Sequence, residues 1–125
     1  MLATQFRSAV AVLNATAKFF EQHPESWVQH FFASNHCGGE LSPYDPEATC
    51  WCLTGRLIVE AAALGVKPGV ALNALLAVAH ARGAPSVMDY NDRSGCTVQD
   101  VADLCIYAAV KIEDEYYESE EFSIW

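Results

Sequence analysis

The sequence predicts an all-α or predominantly α fold, a compact bundle of about four helices, and three observations carry that expectation. Apolar residues recur at helical spacing in the first segment. Start and stop residues bracket the segments that follow. The composition is 52% apolar and rich in alanine, which favours closely packed helices because alanine has the best helix propensity and little β preference. A chain of 125 residues is long enough to bury a real core in one domain.

From Thr4 to Gln22, Phe6, Val10, Leu13, Ala17 and Phe20 share one helix face, while Arg7, Asn14, Lys18 and Glu21 lie opposite. His23-Pro24 ends this helix, since proline disfavours helical geometry in the residue before it. Trp27 to Ala33 is an aromatic-rich strand or short helix, followed by a loop from Ser34 to Asp45 around Gly38-Gly39 and Pro43. Asp45-Pro46 predicts the next helix start, because Asp accepts first-turn amides and proline is pre-organised for the first helical position. That helix is expected to reach Leu64, with Gly65 as its left-handed cap. Gly55 within it costs about 1 kcal/mol relative to alanine, which predicts the close approach of another backbone.

A third helix is expected from Pro68 to Arg82, with Gly83 as its stop. Its nearly all-round apolar surface predicts the central, most buried element. Pro85 to Gly95 reads as a loop with a short strand, so that Trp27–Ala33 and Val87–Tyr90 could form a minor β-hairpin. The fourth helix starts at Thr97, where Thr-Val-Gln-Asp is a variant capping box, and its inner face is Val98, Val101, Cys105, Ala108 and Ile112. Composition shifts at Glu113. A single helical domain over 1–112 and an acidic-aromatic tail over 113–125 are therefore expected.

The first residues lack a basic segment followed by an apolar one, so no secretory signal is expected. The longest weakly charged stretch, Pro68 to Ala81, is too short to cross a bilayer core of about 30 Å. Five cysteines without such a signal point to reduced thiols in the cytoplasm. A net charge of −9, with seven scattered basic residues, argues against direct nucleic-acid binding and permits a basic protein as partner.

Three groups of residues could carry chemistry. His36, Cys37, Cys50 and Cys52 are zinc ligands by type, but Cys50 and Cys52 on a helix would point about 200° apart, so no metal is assigned. Cys50 in the first turn of its helix, or Cys96 just before one, could be an activated nucleophile with His23, His30, His36 or His80 as base. No nucleophile motif surrounds either cysteine, so packing roles are preferred and no catalytic residue or cofactor is assigned. Tyr90, Asn91, Asp92 and Arg93 could bind a small polar ligand in one loop, although turn formation and pairing of Arg93 with Asp92 or Asp89 is the preferred reading. Asp100 and Asp103 share a helix face, which alone makes no site.

Trp27-Val28-Gln29, the Asp45-Pro46 start, Trp51-Cys52-Leu53-Thr54-Gly55, Tyr90-Asn91-Asp92-Arg93 and Thr97-Val98-Gln99-Asp100-Val101 occur in this order. In this combination the chain resembles an uncharacterised family of small bacterial and phage proteins over roughly residues 5 to 110. The resemblance implies a bacterial or phage origin and no activity. The tail and Cys50 look particular to this member.

The expected function is that of a non-enzymatic, phage-encoded acidic protein that binds and inhibits a basic nucleic-acid-handling host complex in the host cytoplasm. The expected contact residues are Glu113, Asp114, Glu115, Tyr116, Tyr117, Glu118, Glu120, Glu121, Phe122 and Trp125, which join aromatic anchors to steering charge. Two alternatives stand beside it. One is a small enzyme or ligand-binding domain using Asn91-Asp92-Arg93 with a thiol, and the other is a homo-oligomeric phage component.

Overall fold

A computed structural model of the chain describes residues 3–35 and 38–124, with side chains as far as Tyr116. The fold is mainly α, as the periodicity predicts. Helices α1 (Ala3–Gln22), α2 (Leu53–Leu64), α3 (Gly69–Ala81), α4 (Val87–Asp92) and α5 (Val98–Ile124) are joined by a 3-10 turn at Pro24–Ser26 and three two-residue strands.

Helices α1 and α5 form the most extensive contact in the molecule. Phe6, near the start of α1, stacks on Tyr116 far along α5 with ring centres 4.1 Å apart, so the two helices run in opposite directions. Phe6, Leu13, Ala17 and Phe20 are buried and Val10 packs against them, while Arg7, Asn14, Lys18 and Glu21 are exposed. On α5, Val101, Cys105, Ala108 and Ile112 are buried. Reciprocal bonds start it: Thr97 Oγ1 accepts the Asp100 amide at 3.2 Å, and Asp100 Oδ2 accepts the Thr97 amide at 3.0 Å.

The third helix differs from expectation. Ala71, Leu75, Val78 and Ala79 are buried, but Val70, Leu72, Ala74 and Leu76 are half-buried and Asn73, Ala77 and His80 exposed. An apolar surface does not by itself bring a covering partner. Here the α1–α5 pair occupies the centre, and α3 packs on it with one face. Its stop is as predicted, with Gly83 left-handed at φ 86.

The segment between α1 and α2 also differs. Asp45-Pro46 starts a turn rather than a helix, with Asp45 Oδ1 accepting the Glu47 amide at 2.9 Å. Aspartate and proline suit a turn as well as a helix start, and the residues that follow are taken up by tertiary pairing. Strand β1 (Ala33–Ser34) lies between β2 (Glu40–Leu41) and β3 (Cys50–Trp51), antiparallel to both. The small sheet therefore exists, but Val87–Tyr90 has no part in it. That stretch lies in α4, started by Ser86, whose Oγ accepts the Asp89 amide at 3.0 Å.

Helix α2 thus begins at Leu53, with Cys52 as its cap: the Cys52 Sγ accepts the Gly55 amide at 3.3 Å. It ends at left-handed Gly65 (φ 71), as predicted. Gly55 marks a close backbone approach, since a Cβ there would run into the Phe32 carbonyl. The boundary between 112 and 113 falls inside α5, which continues unbroken to Ile124. Among the described residues no helix is long and apolar enough to cross a membrane.

Candidate functional site

Three of the five pieces that carry the resemblance, 27–29, 51–55 and 90–93, meet at Asn91. This side chain is fully buried. Its Oδ1 accepts the indole N–H of Trp27 at 2.7 Å and the Leu53 amide at 3.0 Å, while its Nδ2 donates to the Val28 carbonyl at 3.2 Å and to Asp92 Oδ1 at 2.8 Å. Gln29 Nε2 donates to the carbonyls of Asn91 and Arg93. One amide side chain therefore ties the 27–29 segment to α4 and supplies an acceptor that the first turn of α2 needs. Buried amides are strongly held when all their bonds are made, and no buried side-chain polar atom among the described residues lacks a partner.

The neighbours of Asn91 divide between ordering and exposure. His30 takes a left-handed backbone at φ 74, which costs a non-glycine residue about 1–3 kcal/mol. Asp92 Oδ1 holds it by accepting the His30 amide at 2.8 Å, and the exposed imidazole lies 3.9 Å from Asp92 Oδ2. Tyr90 is buried, with the Arg93 guanidinium over its ring at 4.1 Å and Arg82 donating to its hydroxyl at 3.1 Å. The Tyr90–Arg93 set is therefore helical rather than a loop as far as Asp92. Of its side chains only Arg93 is exposed, with Asp92 partly so. A second cationic cluster has Arg56 stacked on Phe19 at 3.6 Å and near Trp51 at 4.6 Å, with Nε and Nη2 both on Glu60 Oε1.

Three of the thiols are held in their protonated form by burial. Burial pushes the Cys52 thiol up to about 11, against a weaker downward pull from the Gly55 amide. Burial also raises Cys96, with Asp100 adding to the effect, and raises Cys105 further. The thiolate is the reactive form, so these three stay protonated near neutral pH. Cys50 lies in β3, not in the first turn of a helix, and is half-buried, whereas Cys52 is buried as the cap of α2. Among the described residues no three of His, Cys, Asp and Glu converge as a metal set. His36 and Cys37 lie outside those residues.

The acidic segment is helical. Glu113 is half-buried, Asp114 and Glu115 are exposed, and Tyr116 packs on Phe6. Tyr117, Glu118, Glu120, Glu121, Phe122 and Trp125 fall outside the described side chains. A surface the sequence reading passed over lies just before it: Ile106, Tyr107 and Val110 are 39%, 61% and 49% exposed on the outer side of α5. The signal for it was present, because the expected inner face from Val98 to Ile112 leaves these three on the other side. Asp103 precedes them by one turn, and Glu113 and Asp114 follow by one turn.

A family of unknown function, DUF6197, matches residues 5–111. No curated protein and no solved structure matches the chain.

Proposed function

The chain belongs to the DUF6197 family of unknown function, and since that membership carries no activity, we propose from the geometry that the protein works by binding a basic protein. The observation that carries this reading is the outer face of α5, where Ile106, Tyr107 and Val110 stand exposed between Asp103 on one side and Glu113 and Asp114 on the other. Exposed aromatic and aliphatic anchors with carboxylates at both ends combine contact area with electrostatic steering. The net charge of −9 acts in the same direction over longer range.

In its concrete form, the target is a nucleic-acid-handling complex of a bacterial host, and the phage-encoded protein inhibits it in the cytoplasm by covering its Lys/Arg-lined groove. The test is capture from host lysate on the immobilised full chain, followed by mass spectrometry. The expected result is a basic protein retained at low salt and released near about 0.3 M, where screening is strong. Retention should weaken in the triple variant Glu113→Gln, Asp114→Asn, Glu115→Gln. Neutralisation is the cleaner perturbation, because deleting the segment would also remove Tyr116 from Phe6. Retention of no basic protein, or retention indifferent to both salt and the triple variant, overturns the reading.

A further inference from the structure

Resting on that reading, we infer that the outer face of α5 receives a basic amphipathic helix, apolar at its centre and carrying Lys or Arg about one turn beyond each end of its apolar patch. Ile106, Tyr107 and Val110 stand at i, i+1 and i+4, so they form one apolar patch over little more than one turn. Asp103 and Asp114 close its two ends. Eleven positions separate these carboxylates, about 16 Å along a helix axis at 1.5 Å per residue. A helix laid along the patch meets them with cations about eleven positions apart and fills the space between with apolar side chains.

Two alternatives to such a partner fare worse. An extended peptide needs backbone donors and acceptors beside it, and α5 offers none because its own are spent within the helix. A docking helix brings its backbone bonds already made and needs only side-chain packing. A second copy of this chain matches the apolar centre and clashes at the ends. In an antiparallel pair with Tyr107 facing Val110, the same two-fold axis sets Asp103 against Asp114. In a parallel pair each carboxylate faces its own equivalent, and like charges at that range repel. The nearby Arg82 does not relieve this, because it is laid against the Tyr107 ring at 4.8 Å and bonded to Tyr90.

The probe is a fluorescein-labelled, helix-forming peptide of about 18 residues with leucines on a central face and two lysines eleven positions apart. Its partner in the test is a control peptide with glutamates in place of those lysines. Fluorescence anisotropy with the full chain is expected to register the lysine peptide and not the glutamate one. Ile106→Ser with Val110→Ser should weaken binding at least about tenfold, equivalent to 1.4 kcal/mol, and Asp103→Asn with Asp114→Asn should weaken it and flatten its salt dependence. All four positions are exposed, so the variants keep the fold, which circular dichroism checks. No binding of the lysine peptide, equal binding of both peptides, or wild-type affinity in the serine variant overturns the inference. So does a doubled mass by light scattering that reverts to 13.7 kDa in the serine variant, because the face then belongs to a second copy. Should the lysate experiment yield a salt-sensitive basic partner that the serine variant still binds, the α5 assignment falls and the interaction reading stands. Loss of any such partner removes the reading itself.

Discussion

Asn91 Oδ1 accepts the Trp27 indole N–H at 2.7 Å across 64 positions of sequence. The same oxygen accepts the Leu53 amide, so removing this side chain unties two segments at once. Asn91→Ala is expected to destabilise the chain by about 3–4 kcal/mol, because buried donors lose their acceptor without water to replace it. Asn91→Asp should be comparably harmful, since it sets a second carboxylate beside Asp92 and the Val28 carbonyl. Trp27→Phe removes one bond only and should cost about 1–2 kcal/mol. Urea unfolding of the single and double variants measures the coupling, and strict additivity of Trp27 and Asn91 would contradict it.

Gly55→Ala sets propensity against packing. Alanine gains about 1 kcal/mol within a helix, but its Cβ would meet the Phe32 carbonyl, which belongs to backbone and cannot swing aside. The expected outcome is a net loss of about 2–3 kcal/mol. At Gly39 nothing lies within 4 Å, so Gly39→Ala should leave the thermal midpoint nearly unchanged.

Arg56 serves as a flat plate against Phe19 and beside Trp51 while holding Glu60. Arg56→Lys keeps the charge and loses the planar stack, so a loss of about 1–2 kcal/mol is expected. A midpoint equal to wild type would show that charge alone matters there.

The thiols make a pH-dependent prediction. The Cys52 thiol moves from an ordinary 9.0 to about 11 on folding, through burial. Between those values the unfolded chain has released its proton and the folded one has not. Stability is therefore fully present below about pH 9 and falls as pH rises toward 11, by at most about 1.4 kcal/mol per unit from this group. Cys105 acts in the same direction. Cys52→Ser keeps a cap acceptor for Gly55 and removes one titration, so its stability should fall less steeply than wild type in alkali. Alkylation at neutral pH should reach half-buried Cys50 before buried Cys52, Cys96 and Cys105.

How far the candidate surface could be read from sequence follows from which contacts decide it. The acids at 113–115 are visible in composition, and their helical setting is not. Ile106, Tyr107 and Val110 look like core by residue type, yet the inner face expected from Val98 to Ile112 already sets them on the opposite side, and packing decides only that nothing described covers them. The Ser86–Asp89 pattern that starts α4 has the same form in sequence as Thr97–Asp100.

By itself the sequence determined the mainly helical class, the inner faces of α1 and α5, the left-handed cap at Gly65, the stop at Gly83, the capping box at Thr97 and the close approach at Gly55. Each of these depends on residues within one or two turns of each other, or on the absence of a side chain at a single position. Only the tertiary structure decided that α2 starts at Leu53 rather than Pro46, that the sheet uses residues 33–34, 40–41 and 50–51, and that α1 and α5 rather than α3 form the centre. The physical reason is range. A first-turn amide at Leu53 takes its acceptor from Asn91, 38 positions away, and no local pattern carries information over that distance.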